Sequence, residues 1–458
     1  MRRTSFKKLS LLFALILLVG AGCTGPSAAE ISATKPATIS IWQVFDSEES
    51  LLPIMNAYRA IHPNISFEYR QLRSDEYKNE LLRAFAEGKG PDVFAIHNTW
   101  VGEYESLIAP LPASLQIGYS ETRGTIKKET IYTLKEEPTI SLRALKNDFV
   151  DVVSKDVVRA YRVNQNTEPQ DRIFGLPLSV DTMALYYNKD LLNAANIPEP
   201  PTTWTQFQEQ VGKLTKIGQN DTILQSGAAV GTGKNIERAI DILNLLMLQN
   251  GVEMVSDRGS AIFATGSDKE NLAADAVRFY TDFANPLKQV YTWNDSQPNS
   301  FDAFVNGKAA FFLGYAYHAP LIAARSPKLN FAIAPVPQIE GGKTVNYANY
   351  WVETVSRQTK NLDTAWDFVE FAASKDQVTK YLDLAKRPPA RRALVSSQLE
   401  DETLSIFASQ VLTAQSWYHG RDAGAMEQAF IDLIGATLSG SDTQEILTIT
   451  QNKVNQTL

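Results

Sequence analysis

Two periodicities alternate along this chain. Residues 38–45 (TISIWQVF) are rich in β-formers and predict a first buried strand. Asp46 and Glu49 have capping-box spacing, and Leu51, Ile54, Met55 and Tyr58 then return on one helical face, which Pro63 ends. Ile65, Phe67 and Tyr69 alternate as a second strand. Tyr77, Leu81, Ala84 and Phe85 mark a second helix that Gly88 and Gly90 stop, and residues 93–96 form a third strand. That tempo predicts an α/β layer with a largely parallel sheet. Its ligand crevice is expected beyond the carboxyl ends of the strands, at the turns 45–47 and 96–100.

Residues 116–170 break the rhythm with a charged stretch, 121–137, and a helix expected around 142–153; part of this reads as a surface insertion. The pattern recovers at 174–189 (FGLPLSVDTMALYYNK), read as a buried strand, and Thr203 with Gln206 again has capping-box spacing. Helices are expected over 236–249, 272–283 and 301–306. Strands are expected at 311–313 and 331–335, with a mainly helical last quarter that opens on Leu362, Ala365, Trp366 and Val369.

The N-terminus changes the picture. Arg2, Arg3, Lys7 and Lys8 precede the apolar run 11–19 and then Gly20, Ala21 and Gly22, the order of a secretory signal. The run is shorter than the roughly 20 residues that a permanent membrane helix needs. It ends on Cys23, the only cysteine in 458 residues, so no internal disulfide can form. The segment resembles a bacterial lipobox, departing from it at Gly20, and the resemblance implies lipid on Cys23 after loss of residues 1–22. Residues 23–36 are small, polar and proline-containing, the composition of a flexible tether. Without the signal the formal charge goes from −7 to −11, which gives no reason to expect nucleic acid as a partner.

Several segments together resemble the extracellular solute-binding proteins of bacterial ABC importers, the group that includes maltose- and oligosaccharide-binding proteins. They are 90–93 (GPDV), 174–189, 200–204 (PPTTW) with Phe207, 304–310 (FVNGKAA), 366–371 (WDFVEF) and 388–392 (PPARR). The resemblance implies a two-lobed α/β periplasmic-binding-protein fold, with hinge strands and a ligand cleft between the lobes. On that pattern lobe 1 is 37–180 plus 346–380 and lobe 2 is 181–345 plus 381–458. It also implies a monomer that takes a sugar to the membrane subunits of a permease, exported and lipid-anchored at the outer face of the cytoplasmic membrane or in the periplasm. No cofactor, metal or catalysis is expected.

A sugar offers hydroxyl edges and a flat C–H face, so its site calls for aromatic planes beside carboxylates, amides or arginines. The loop His97-Asn98-Thr99-Trp100 follows a strand end and supplies three such groups: His97, Asn98 and Trp100. Asp46 faces either the cleft or its helix, and Asp181 sits at the first crossing. Tyr315 and Tyr317 follow a buried strand at the family's aromatic position. Tyr347, Tyr350 and Trp351 lie near the return crossing, and Trp417, Tyr418 and Arg421 form a late aromatic-basic cluster. Trp204 and Trp366 are expected in the cores.

Competing classes leave weaker marks. His62, His97, His318 and His419 form no metal-ligand spacing, and residues 227–234 (GAAVGTGK) lack the glycine spacing and following hydroxyl of a phosphate loop. A glycosidase needs two opposed carboxyl groups, and no pair stands out. A same-fold receptor for glycerol phosphate, a polyamine or an organic anion stays open: paired basic groups in the cleft would mark the phosphate, and a dense acidic cluster the polyamine.

Overall fold

The computed structural model describes residues 27–123, 129–164, 166–265 and 271–458. Cys23 and the signal segment lie outside them.

Two cores divide the chain, and each is built from discontinuous segments. The first packs residues between Ile39 and Val180 with Ala348–Leu394 (Ala365, Trp366, Phe368 and Tyr381 among them). Its sheet runs in the order Trp351–Val355, Val93–His97, Ala37–Gln43, Ile65–Gln71. The last three strands are parallel, and Trp351–Val355 joins antiparallel to Val93–His97. Val93–His97 is buried along its whole length, as a central strand covered on both faces must be. Helices Glu48–Ile61, Ser74–Ala86 and Leu362–Ala372 cover it, and the Trp366 indole donates to the Ala109 carbonyl at 3.1 Å.

The second core draws on Met183–Tyr347 and Trp417–Val454. Its sheet has the order Lys216–Ile217, Ile223–Ala228, Ala309–Gly314, Ala184–Asn188, Phe331–Pro335. Trp204 is buried here, donating to Gln249 Oε1 at 2.6 Å. A third, small sheet of Asp181–Thr182, Asn346–Asn349 and Ala414–Gln415 joins the two bodies. Tyr381, Leu382, Ala390, Leu394 and Val395 pack in the first core, later than the expected change at 381, whereas Leu404 and Phe407 pack with Tyr186 and Phe304, and Val411 and Ala414 return to the first core.

Five local expectations change. Asp46 is not a cap: Ser47 takes that position for Glu48–Ile61, with no side-chain cap bond, and Asp46 turns toward the lobe seam. Residues 142–153 split into Leu142–Asp148 and Asp151–Val157, because Phe149 and Val150 adopt extended backbone between them. Residues 174–189 hold two short strands, Asp181–Thr182 and Ala184–Asn188, rather than one. The stretch read as an insertion is an antiparallel hairpin, Ser114–Arg123 with Glu129–Pro138. Beside it, Ala28–Ala33 forms a short helix where a flexible tether was expected.

Candidate functional site

A cavity of about 410 Å³ lies between the two cores, within the range of small-molecule sites. Gln43, Phe45, Asp46, His97 and Trp100 reach it from the carboxyl ends of two parallel strands. Trp351 opens the antiparallel neighbour at the same edge, its backbone opposite His97. Asp181, Glu237, Arg238, Tyr317 and Glu427 enclose it from the other side. The crevice therefore sits where the strand pattern puts it.

Aromatic planes form much of the wall. Trp351 stands edge-on to Trp100 with ring centroids 5.5 Å apart, and to Phe45 at 5.6 Å. Phe45 is half exposed and stacks on Tyr317, the rings 6.0 Å apart and within 12° of parallel. Since Phe45 belongs to the first lobe and Tyr317 to the second, that stack spans the seam.

Most charged groups in and behind the wall have a partner of opposite charge. Arg238 grips Asp241 through Nε at 2.8 Å and Nη2 at 2.7 Å, with Glu427 3.8 Å from Nη1. The Tyr315 hydroxyl and Asn349 Nδ2 also donate to Asp241. Burial opposes ionisation of Asp241, but Arg238 and these donors outweigh it and hold the carboxyl below its usual range. Arg387 lies 3.6 Å from Asp46, which accepts from the Tyr381 hydroxyl at 2.8 Å. Lys78 meets Glu103 at 2.5 Å above the Trp100 ring, and Glu237 lies 3.3 Å from His318 Nε2. Burial lifts Asp181 to about 6, against the pull of Arg387 and the amides of Ala316 and Thr182.

His97 is the polar wall group left incomplete. Its Nδ1 lies 2.8 Å from the Thr99 hydroxyl and accepts the Thr99 amide at 3.4 Å. That places the ring proton on Nε2, which is buried beside the Asn349 side chain but makes no hydrogen bond of good geometry among the described residues. Burial first, and Arg238 across the cavity second, push the imidazole down to about 4, so it is neutral at ordinary pH. An oxygen placed at Nε2 would complete the ring's hydrogen bonding, since an unmade buried hydrogen bond costs about 1–3 kcal/mol.

Below the floor, Glu353 accepts from Gln43 Nε2 at 2.7 Å, and burial raises its carboxyl from an ordinary 4.5 to about 8. Over that window the folded chain keeps a proton that the unfolded chain has released. Stability contributed by this group therefore falls as pH rises, at up to about 1.4 kcal/mol per unit. Glu353→Gln is expected to remove that slope, its advantage over wild type widening from pH 5 to pH 8 in urea unfolding. Parallel pH profiles for the two proteins would contradict it.

Of the residues singled out in the sequence, Asp46, His97, Trp100, Asp181, Tyr317, Tyr350 and Trp351 line this cavity. The others do not. Tyr315 is fully buried under it, committed to Asp241. Tyr347, Trp417 and Tyr418 pack in the second core, where large rings are worth more as filling than as exposed planes. Arg421 opens on a separate surface groove with Arg162 and Arg357. Asn98 turns its amide to Asp156 at 2.9 Å. Asp156, 1% exposed, also receives the Tyr350 hydroxyl at 2.7 Å, the Ser416 hydroxyl, and His419 Nε2 at 2.9 Å. Sequence reasoning placed the crevice at the turn 45–47 without naming Phe45, and it missed Lys78, Glu237, Arg238, Asn349, Tyr381, Arg387 and Glu427. Only Phe45 carried a usable signal, as an apolar residue at the end of a strand.

A family model described as bacterial extracellular solute-binding protein matches residues 54–404. The galactooligosaccharide-binding protein of Bacillus subtilis (strain 168) is 22% identical over 410 residues, 89% of this chain and 85% of its own. A binding protein of Brucella abortus (strain 2308) is 24% identical over 211 residues, so the match spans 46% of this chain and about half, 49%, of that relative. Among solved structures, a cyclo/maltodextrin-binding protein complexed with maltotetraose shares the fold over 92% of this chain and 97% of its own. The TM-score is 0.68 at 16% identity. A receptor of Streptomyces glaucescens, solved unliganded and in complex with acarbose, covers 92% and 96% with a TM-score of 0.65 at 18% identity.

Proposed function

The chain belongs to the bacterial extracellular solute-binding proteins, and from that premise we propose that it captures a sugar or short oligosaccharide between its lobes and delivers it to the membrane subunits of an ABC importer. The carrying observation is the composition of the cavity wall. Aromatic faces are on offer, while Arg238, Arg387 and Lys78 each already hold a carboxylate. A phosphate or organic anion would have to take a guanidinium from its partner. For a polyamine, the carboxylates of Asp46 and Glu427 already face Arg387 and Arg238, Glu237 lies against His318, and Asp181 is taken up by backbone amides. A neutral polyhydroxyl ligand disturbs neither set; it covers the rings with its C–H face and gives His97 Nε2 an oxygen. Relatives whose names or structures refer to galactooligosaccharide, maltotetraose and acarbose support the same reading.

The test is calorimetry of residues 27–458 against maltotetraose, acarbose, galactooligosaccharides, glycerol phosphate and spermidine. A sugar at 100 times its Kd should stabilise the fold by about 2.7 kcal/mol by mass action. Binding of glycerol phosphate or spermidine with no sugar bound would replace the reading. The small sheet at the seam serves as the hinge in this proposal, so small-angle scattering with a bound sugar should differ from the ligand-free profile by compaction.

Lipid on Cys23 completes the proposal, holding the exported protein at the membrane. Cys23→Ser should leave the body folded and abolish incorporation of labelled fatty acid; equal labelling of both proteins would remove the anchor.

A further inference from the structure

The seam and its wall belong to the reading above, but the segment just behind Cys23 does not. Ser27 caps the helix Ala28–Ala33 in a reciprocal box: the Glu30 amide donates to Ser27 Oγ at 3.2 Å and the Ser27 amide to Glu30 Oε2 at 2.7 Å. The Ile31 amide donates to the Ser27 carbonyl at 3.0 Å. Thr34 is buried, its hydroxyl on the Glu30 carbonyl at 2.8 Å, and Asn64 Nδ2 holds the Lys35 carbonyl at 3.1 Å. From there the chain enters the first sheet at Ala37.

The helix lies on the hairpin, and Gly118 is where the two meet. A Cβ at Gly118 would stand 2.5 Å from the Ala33 carbonyl oxygen and 2.8 Å from the Ala33 Cβ. Contact with Ala33 backbone cannot be relieved by swinging a side chain away. Glycine is thus needed there to let the helix dock, although glycine weakens a strand.

Docking shortens the free chain. Were residues 23–37 extended, they would let the body stand roughly 46–50 Å from Cys23. With Ser27 already fixed, only Thr24, Gly25 and Pro26 intervene, a reach of roughly 13–14 Å. We propose that residues 27–36 are a docked strap that holds the edge of the first lobe at Ser27, beside the hairpin, against the phospholipid headgroup layer. This rests on the Cys23 anchor. The partner is the bilayer surface itself, and the strap sets which face of the body meets it.

The experiment uses the lipidated full chain on vesicles of phosphatidylcholine and phosphatidylglycerol in equal amounts. Hydrogen exchange reads the strap amides, and energy transfer from a dye on Thr122→Cys to a headgroup dye reads the height of the hairpin. The expected result is protection of Ile31 and efficient transfer. Gly118→Val should speed exchange at Ile31 at least tenfold and reduce the transfer. Ser27→Ala with Glu30→Gln, which opens the capping box without touching the hairpin, should do the same with an unaltered melting curve for the body. Exchange at Ile31 as fast as in an unstructured peptide would overturn the proposal. So would unchanged transfer once protection is lost. Cys23→Ser protein that stays on the vesicles as wild type does would remove the anchor, and the strap's role at the membrane with it, while exchange at Ile31 still reports separately whether the helix docks.

Discussion

Replacing Trp351 by alanine is expected to weaken sugar binding at least tenfold while leaving the protein folded. The indole is partly exposed to the cavity, and Trp100, Phe45, His97 and Tyr77 hold it edge-on at centroid distances of 5.5–6.0 Å. So supported, it offers a rigid face at little entropic cost. Stacking of bases on aromatic rings is worth about 1–3 kcal/mol per base, and 1.4 kcal/mol is a tenfold change in Kd. Truncation also removes packing, at about 3–5 kcal/mol for a buried tryptophan and less for this half-buried one. Calorimetry on a variant shown folded by its melting curve separates the two losses. Trp351→Phe, which keeps a plane, should recover part of the affinity. Unchanged affinity in folded Trp351→Ala would exclude this ring from the site.

The larger effect on stability is expected at Asp156. Its carboxylate sits on the first-lobe helix Asp151–Val157 and gathers Asn98, Tyr350, Ser416 and His419, the last two lying just beyond the seam strand Ala414–Gln415. Asp156→Ala leaves those donors without their acceptor, those of Asn98 and Tyr350 in a site closed to water. A loss of about 3–5 kcal/mol is expected, the range for breaking a buried charged interaction from one side. Asp156→Asn retains one acceptor oxygen and should lose less. Urea unfolding at pH 7 measures both, and a loss in Asp156→Ala below about 1 kcal/mol would mean that the cluster is not what fixes the two segments together.

What could be read from the sequence divides along a physical line. Strands of the first lobe were legible because Ala37–Gln43 and Ile65–Gln71 alternate between buried and more exposed positions, while Val93–His97, covered on both faces, opens with a continuous apolar run. Trp100 and Trp351 were legible because a strand end in such a sheet is where a crevice opens. Asp46 misled because capping-box spacing is short-range, whereas its partner Tyr381 lies 335 residues away. Arg238 gave no signal at all. Its backbone is left-handed, with φ +58°, at the start of the helix Ala239–Gln249, a conformation that costs a non-glycine residue about 1–3 kcal/mol. Only the bidentate grip on Asp241, together with the surrounding fold, explains its persistence there. The hairpin was missed for the opposite reason. Its alternation of Leu115, Ile117 and Tyr119 with polar residues is visible, but the density of charge that follows drew attention to solvent rather than to pairing.

The order of strands in the first sheet also bears on how this chain can leave the cell. Gln43 finds Glu353 across 310 residues, and Val93–His97 lacks one neighbour until Trp351–Val355 has been made. At about 5–20 residues per second, synthesis of that interval takes roughly 15–60 s. During that time the first lobe cannot complete its core, however stable its early helices are. A secretion channel that threads unfolded chain thus meets a substrate whose wiring delays its own folding. A circular permutant joining 345–395 directly ahead of residue 37 should fold its first lobe early, and so be retained in the cytoplasm more than the natural order is.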